Sequence, residues 1–532
     1  VAAHLPTTSD PQGLPGARRV SAVAVQPAVT ASDVLDRVLF GYRYPFAVAL
    51  VLSLAARVLA VVHPLYSTDG FAFAYDRAGL TSLLLQQGRF VQAAVEWLGD
   101  RIGFSGPDVR VAALLLAIAL YAHAGLLFAR VIADRPTAGA MTLFLALFTL
   151  HPFSIELFWF SETTLQMVSS IWLGAVGLYV AVLMDRPVRA GLLGITLIVM
   201  ALAMYQTVMA YLLGAGALAL AAHVALVHRD GAGIRGLLGS RAVRGVVVLM
   251  MSVPTYLAAV RLVSALTGVG TDARVSIGTM FADPGQELVA VARAVRTALW
   301  PWPDAAFVPV AASLILLLVL IVSAAVVASV PLRHRRPWAA LICLGLIVGA
   351  LICAAGLPQL GDSDWLAPRT VVAVSVVTAG TVMLAWDAVR LRALHAAMAS
   401  AVALLCLSYV GTANRVLSDQ RLVNTWDAQL VARIVSRLES EPQWSETEAL
   451  AVVSTSWPYS AELGTRFTDI NASALNKPWA RAGLVEQSSG HRLLNATEVE
   501  ARSAEEYCAS VDPWPAPESA ILMGRLAVVC LP

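Results

Sequence analysis

Apolar residues run along this chain in long unbroken stretches, without the alternation of strands or the narrow stripes of soluble helices. Eleven stretches predict membrane-spanning helices, at residues 45–63, 109–129, 137–150, 164–184, 190–204, 207–226, 245–266, 308–330, 338–356, 370–386 and 395–412. Repeated runs of about 17–25 apolar residues suit the thickness of a bilayer core. The third run is short, and the fifth and sixth are separated only by Tyr205-Gln206.

The polar remainder falls into three parts. Residues 1–40 are rich in Ala, Pro, Ser and Gly and lack an apolar h-region, so they predict a disordered cytoplasmic tail and no cleavable signal peptide. Residues 284–299 pattern as an amphipathic helix lying on the membrane. Beyond residue 413 the hydropathy falls. A helix is expected at 427–438, a strand at 449–454, and a hairpin from 520–522 and 526–529 around Met523-Gly524-Arg525. The expected fold is mainly α: a polytopic membrane domain over 41–413 and a small extracytoplasmic α/β domain over 414–532.

Composition sharpens this picture. The chain is 58% hydrophobic and 14% charged, too apolar for a soluble protein of its length. Arginines fill every second short loop, among them Arg130, Arg135, Arg186, Arg189, Arg333, Arg336, Arg390 and Arg392. The facing loops at 153–161 and 205–206 carry no Arg or Lys. By the positive-inside rule the N-terminus is cytoplasmic and the C-terminal domain lies outside a bacterial cytoplasmic membrane. Two long basic outer loops, the first and residues 268–302, escape the rule. A formal charge of +2 gives no reason to expect a nucleic-acid partner, and Lys477 is the only lysine. Cys343, Cys353 and Cys406 fall in spans. Cys508 and Cys530 fall in the outer domain, where the compartment permits a disulfide between them.

Three outer segments carry carboxylates beside aromatics. The first follows the first span, with Asp69, Asp76-Arg77, Arg89, Glu96 and Asp100. The second holds His151, Glu156, Trp159 and Glu162. The third holds Asp362, Asp364, Trp365 and Arg369. Sugar chemistry uses this mixture: carboxylates for hydroxyls and proton transfer, aromatic faces for rings, and arginine for phosphate. Asp69 is the leading candidate for a catalytic base; the structural alternative is an Asp that caps the following helix. Asp76-Arg77 reads as a substrate contact or a local ion pair. Glu156 is a further catalytic candidate, with Trp159 and Glu162 as substrate contacts; the alternative is interfacial anchoring by Phe158, Trp159 and Phe160. Arg369 reads as a clamp on a lipid-linked phosphate or as a snorkelling residue, with Arg293 and Arg296 competing for the clamp. Arg261 is nearly the only ionisable residue inside a span and calls for a partner or a wet cavity. No zinc spacing is present; a divalent cation is possible, but no ligand spacing demands one.

Four elements, taken in order, resemble a known family. They are Thr68-Asp69 after the first span, Gly88-Arg89, Tyr205-Gln206 in a tight hairpin, and a tail with Trp514-Pro515-Ala516-Pro517-Glu518-Ser519 and Val528-Val529. Together they look like the Gtr-type (type II) O-antigen glucosyltransferases, polytopic GT-C-like enzymes. That family often shows an Asp-Asp pair in the first outer loop. Here Asp69 is followed by Gly70 and the next acid is Asp76, so either Asp is open as the base. The resemblance implies a polyprenyl-phosphate-sugar donor, a surface glycan acceptor and inverting single displacement. No cofactor is expected, and the resemblance adds Arg89, Tyr205 and Gln206 to the substrate-binding residues. A flippase for a lipid-linked glycan is the alternative from another class; a glycan polymerase or ligase is close in chemistry.

Overall fold

The computed structural model describes residues 41–75, 77–103, 109–160, 162–227, 241–272, 284–299, 307–359, 366–454, 463 and 465–532. The expected tail, Asp76, and residues 361–365 with Asp362, Asp364 and Trp365 lie outside them; Arg77 opens a helix but its side chain is not described.

The helices are α1 (Arg43–Val62), α2 (Thr68–Tyr75), α3 (Arg77–Gln86), α4 (Phe90–Arg101), α5 (Arg110–Ile132), α6 (Ala138–Leu150), α7 (Ile155–Trp159), α8 (Thr164–Leu183), α9 (Pro187–Leu202), α10 (Val208–Val227), α11 (Arg241–Thr267), α12 (Pro284–Leu299), α13 (Val310–Arg333), α14 (Pro337–Gly356), α15 (Pro368–Val371), α16 (Val374–Ala388) and α17 (Arg392–Leu438). All eleven expected spans fall on helices. Among the described residues nine are long and apolar enough to cross a membrane, counting α15 and α16 together. α6 and the Pro152–Trp159 segment that ends in α7 pass the same test only when taken together, bent by 51° as in a broken span or a re-entrant loop, and α9 is a shorter apolar helix. The protein is a mainly α, polytopic membrane protein.

The bend between α6 and α7 is written in the sequence. Pro152 pushes His151 out of the helical region, to φ −48° and ψ 128°, so α6 stops at Leu150 and the chain turns by 51°. Arg57 of α1 satisfies the exposed end. Its guanidinium donates to Thr149 O at 2.7 Å, Ser154 Oγ at 2.7 Å and Ser53 Oγ at 3.1 Å, and lies 4.0 Å from the Phe158 ring centre. Arg57 is 2% exposed. This corrects the expectation that Arg261 is nearly alone in the spans. A buried arginine is tolerated here because hydroxyls and freed carbonyls surround it. Arg261 is exposed on α11, six residues from the helix end, where its long side chain can reach the interface.

A second correction concerns α17. The expected separate helix at 427–438 is the far end of one continuous 47-residue helix that begins in the bundle. Neither Gly nor Pro interrupts the chain between Gly411 and Pro442, so nothing breaks it. The domain it enters has strands β1 (Ala449–Val453), β2 (Leu494–Asn495), β3 (Ala520–Met523) and β4 (Leu526–Cys530), with helices α18 (Pro478–Ser489) and α19 (Glu498–Cys508). The sheet order is β2-β1-β4-β3, parallel except for the β3–β4 hairpin. Alternate residues serve two faces. Leu450, Val452, Ala527 and Val529 pack with Leu430, Ile434 and Val435 of α17; Ala449, Ala451 and Val528 pack with Ala504 of α19. Cys508 and Cys530 are disulfide-bonded, Cα to Cα 5.4 Å, joining the end of α19 to the end of β4. Cys343, Cys353 and Cys406 are free.

The first interspan loop is not simply water-facing. Phe71 of α2 is buried in the core shared by α17 and the sheet. Gln420 and Asn424 of α17 donate to Tyr66 O at 3.0 and 3.1 Å, while Tyr66 N donates to Asn424 Oδ1 at 3.0 Å. This loop is the dock of the C-terminal domain.

Candidate active site

Asp69 sits in the first turn of α2. The helix is capped by its neighbour: the Gly70 N–H donates to Ser67 Oγ at 2.8 Å, and Ser67 Oγ donates to Glu162 Oε1 at 3.1 Å. Capping is therefore supplied by Ser67, and the capping alternative for Asp69 falls. Gly70 packs closely here: an added Cβ would lie 3.0 Å from Glu162 Oε2, so the Glu162 carboxylate would have to shift slightly. Asp69 instead accepts the indole N–H of Trp479 at 3.0 Å through Oδ1. Burial pushes its carboxyl above the usual carboxylate range; Arg369 opposes that shift, Asp469 reinforces it, and Trp479 and Lys477 oppose it.

Glu156 and Arg369 meet at the bend. Pro152 ends α6, the chain turns into α7, and Glu156 arrives fully buried against the first turn of α15. Its Oε2 accepts the backbone N–H of Arg369 at 2.6 Å, and its Oε1 pairs with the guanidinium. The same guanidinium lies 4.4 Å from the Phe160 ring centre and 3.5 Å from Asp469 Oδ2. Asp469 Oδ1 in turn holds Lys477 Nζ at 3.1 Å, and Lys477 Nζ lies 5.2 Å from the Trp479 ring centre. Glu156, Arg369, Asp469, Lys477, Trp479 and Asp69 thus form one connected chain of charges and rings.

Asp469, Lys477 and Trp479 were missed in sequence. They come from a C-terminal-domain segment that plugs into the membrane domain. Ile470 is buried in the main membrane core, and the Phe467 ring lies 5.8 Å from that of Phe307. α17 pins the segment through Asp427, which is buried and accepts Ser473 Oγ at 2.7 Å and Ala474 N at 2.8 Å. The one available signal was that the chain's single lysine immediately precedes a helix-opening proline.

The remaining expected residues divide. Arg89, Tyr205 and Gln206 do converge. Arg89 Nε donates to Gln206 Oε1 at 3.1 Å, and its guanidinium lies 5.0 Å from the Tyr205 ring centre. Gln206 also donates to Gln87 O at 2.7 Å and to Tyr256 Oη at 3.0 Å. Glu162 is buried beside Asp69's own helix. Trp159 is buried too, so its ring is core and not an open platform. Arg293 and Arg296 lie on the exposed face of α12, and neither pairs with Glu156 or Asp469. His151 is buried between Phe153 and Tyr409. Among the described residues no group of three or more His, Cys, Asp or Glu could hold a metal ion.

Chemically, the arrangement offers a carboxylate whose proton affinity is raised, next to two cations already balanced by acids. Comparison with known proteins agrees with a transferase. The family model described as Glucosyl transferase GtrII matches residues 58–386, which include Asp69, Glu156, Glu162, Arg89, Tyr205, Gln206 and Arg369. Asp469, Lys477 and Trp479 lie beyond the matched segment. No curated protein and no solved structure matches the chain.

Proposed function

Since the chain belongs to the GtrII glucosyl transferase family and is therefore a membrane glucosyltransferase, we propose that it takes glucose from a polyprenyl-phosphate-linked donor and adds it to a cell-surface glycan. Transfer occurs on the outer side of the bacterial cytoplasmic membrane. Support comes from the positive-inside rule, which assigns the arginine-rich helix ends to the cytoplasmic side, while the candidate site is built at the opposite ends of the same helices.

The observation that carries this reading is the connected set Asp69–Trp479–Lys477–Asp469–Arg369–Glu156. Asp69 takes the proton of an acceptor hydroxyl as that oxygen attacks the anomeric carbon. The bond from that carbon to the phosphate oxygen breaks, its electron pair leaves with the lipid phosphate, and the configuration inverts. Burial that raises Asp69's proton affinity makes it a stronger base than a surface carboxylate. Arg369 and Lys477 stabilise charge growing on the departing phosphate. Because Glu156 and Asp469 balance them at rest, the cations are held in position before substrate arrives. Arg89, with Tyr205 and Gln206, borders the donor. A lipid-anchored donor also accounts for a transferase embedded in so many spans, since it presents the sugar at the membrane surface.

The test is transfer of labelled glucose by purified protein in nanodiscs. A short-chain polyprenyl-phosphate-glucose is the expected donor, with UDP-glucose as comparator. Turnover from UDP-glucose and none from the lipid donor would sink the proposal.

A further inference from the structure

We propose that the C-terminal domain supplies the acceptor subsite: a pyranose ring of the acceptor glycan stacks on the indole of Trp479, which sets one sugar hydroxyl against Asp69. This rests on the transferase reading above and adds to it where the acceptor binds.

Trp479 is a large aromatic residue left 46% exposed, although its indole N–H is already satisfied by Asp69 Oδ1 at 3.0 Å. An indole with one polar edge engaged and much of its surface open is built to take an apolar face. The C–H face of a pyranose is such a partner. Lys477 lies over the ring at 5.2 Å and is itself tied to Asp469, so the ring is braced from that side. Pro478 opens α18 directly before Trp479, and α18 packs on α2, the helix that bears Asp69. The ring and the carboxylate therefore belong to one rigid contact between two domains. Among the described residues the indole engages only Oδ1, which leaves Oδ2 for a hydroxyl proton.

The acceptor fits this place better than the donor sugar does. The donor reaches the site from the bilayer, on the side of Arg369 and the bent span. Trp479 is carried by the extramembrane domain and is approached from water, as a polymeric glycan must be. The indole also touches the proposed base, whose proton comes from the acceptor.

The experiment uses the full chain in nanodiscs. The probe is an oligosaccharide released by mild acid from the surface polymer of a strain lacking the enzyme. Saturation-transfer NMR should show transfer to sugar ring protons in the parent and in Trp479→Phe, and none in Trp479→Ala. In the transfer assay Trp479→Ala should raise KM for the oligosaccharide at least about tenfold, while KM for the lipid-linked donor stays within about twofold. Trp479→Phe keeps a stacking face and guards against a folding artefact. Equal probe binding by parent and Trp479→Ala, or no binding by the parent, overturns the proposal. A rise in donor KM alone also overturns it and gives the indole to the donor sugar. A parent that binds the oligosaccharide through Trp479 but moves no glucose from the lipid donor leaves the subsite standing and sinks the donor assignment.

Discussion

Glu156 grips Arg369 at two points at once: one carboxylate oxygen accepts the backbone N–H at 2.6 Å and the other pairs with the guanidinium. Glu156 has no exposed surface, and the Arg369 side chain is 12% exposed. Breaking a buried pair by neutralising one partner costs roughly 3–5 kcal/mol, because the remaining charge stays buried. Glu156→Gln is therefore expected to lower the thermal unfolding midpoint clearly. Glucosyl transfer should fall with it, as Arg369 loses the anchor that orients it. A variant that melts with the parent would show that Asp469 alone suffices to hold Arg369.

Asp69→Asn separates catalysis from architecture. Ser67 caps α2, and the Asn side-chain oxygen can still accept from Trp479, so the fold should be kept. Loss of a general base typically costs about 10²–10⁴-fold in rate. The expected result is a folded protein with kcat reduced by that order and normal donor binding. Parent-like turnover would move the base elsewhere, with Asp76 next to be tested.

The acid limb of the pH–rate profile follows from the same carboxyl. A base works when ionised, and burial raises the pKa of Asp69, so kcat/KM should fall with acid at a pH above the ordinary carboxylate range. Lys477 and Arg369 both oppose that rise. Lys477→Gln should move the acid limb to still higher pH. A shift to lower pH, or none, would remove Lys477 from the electrostatics of the base.

Gly88 occupies the left-handed region at φ +74°, and a Cβ there would lie 2.7 Å from Tyr256 Oη. That hydroxyl donates to Gly88 O at 3.3 Å and receives Gln206 Nε2 at 3.0 Å. Gly88→Ala is expected to destabilise by at least about 1–2 kcal/mol from backbone strain. It should also disturb the Gln206 contact that holds Arg89, so donor KM should rise more than acceptor KM.

The Cys508–Cys530 bond closes a loop of sequence separation 22. A loop of that size is worth about 3 kcal/mol in the chain-entropy account. Reductant, or Cys508→Ser with Cys530→Ser, should lower the unfolding midpoint. Non-reduced mass spectrometry of protein from native membranes should find the linked peptides; two free thiols there would argue against an oxidising location for this domain.

Much of the architecture was legible along the chain because a bilayer demands it: each span must be continuous, apolar and long, so local composition suffices to find it. The eleven runs are of this kind, whereas the strand at 449–454 and the hairpin at Gly524 lie beyond the spans and were legible from a short apolar run and from the turn residues between two such runs. Asp69, Glu156, Arg369 and the Arg89–Gln206 pair could be nominated because charge beside an apolar span is conspicuous. Their partners could not. Trp479 and Asp69 are 410 positions apart, and Arg369 and Glu156 are 213 apart. Trp159 looked like an open aromatic in sequence and is core; Arg57 looked unremarkable in a span and caps a bend. Local pattern determines where a helix forms and which stretch enters the membrane. Which charge faces which is decided only when α17 runs on past the spans, the 465–477 segment plugs into the bundle, and α18 settles on α2. Those contacts depend on shape and on paired burial of charges from distant segments, and neither is carried by the residues on one side alone.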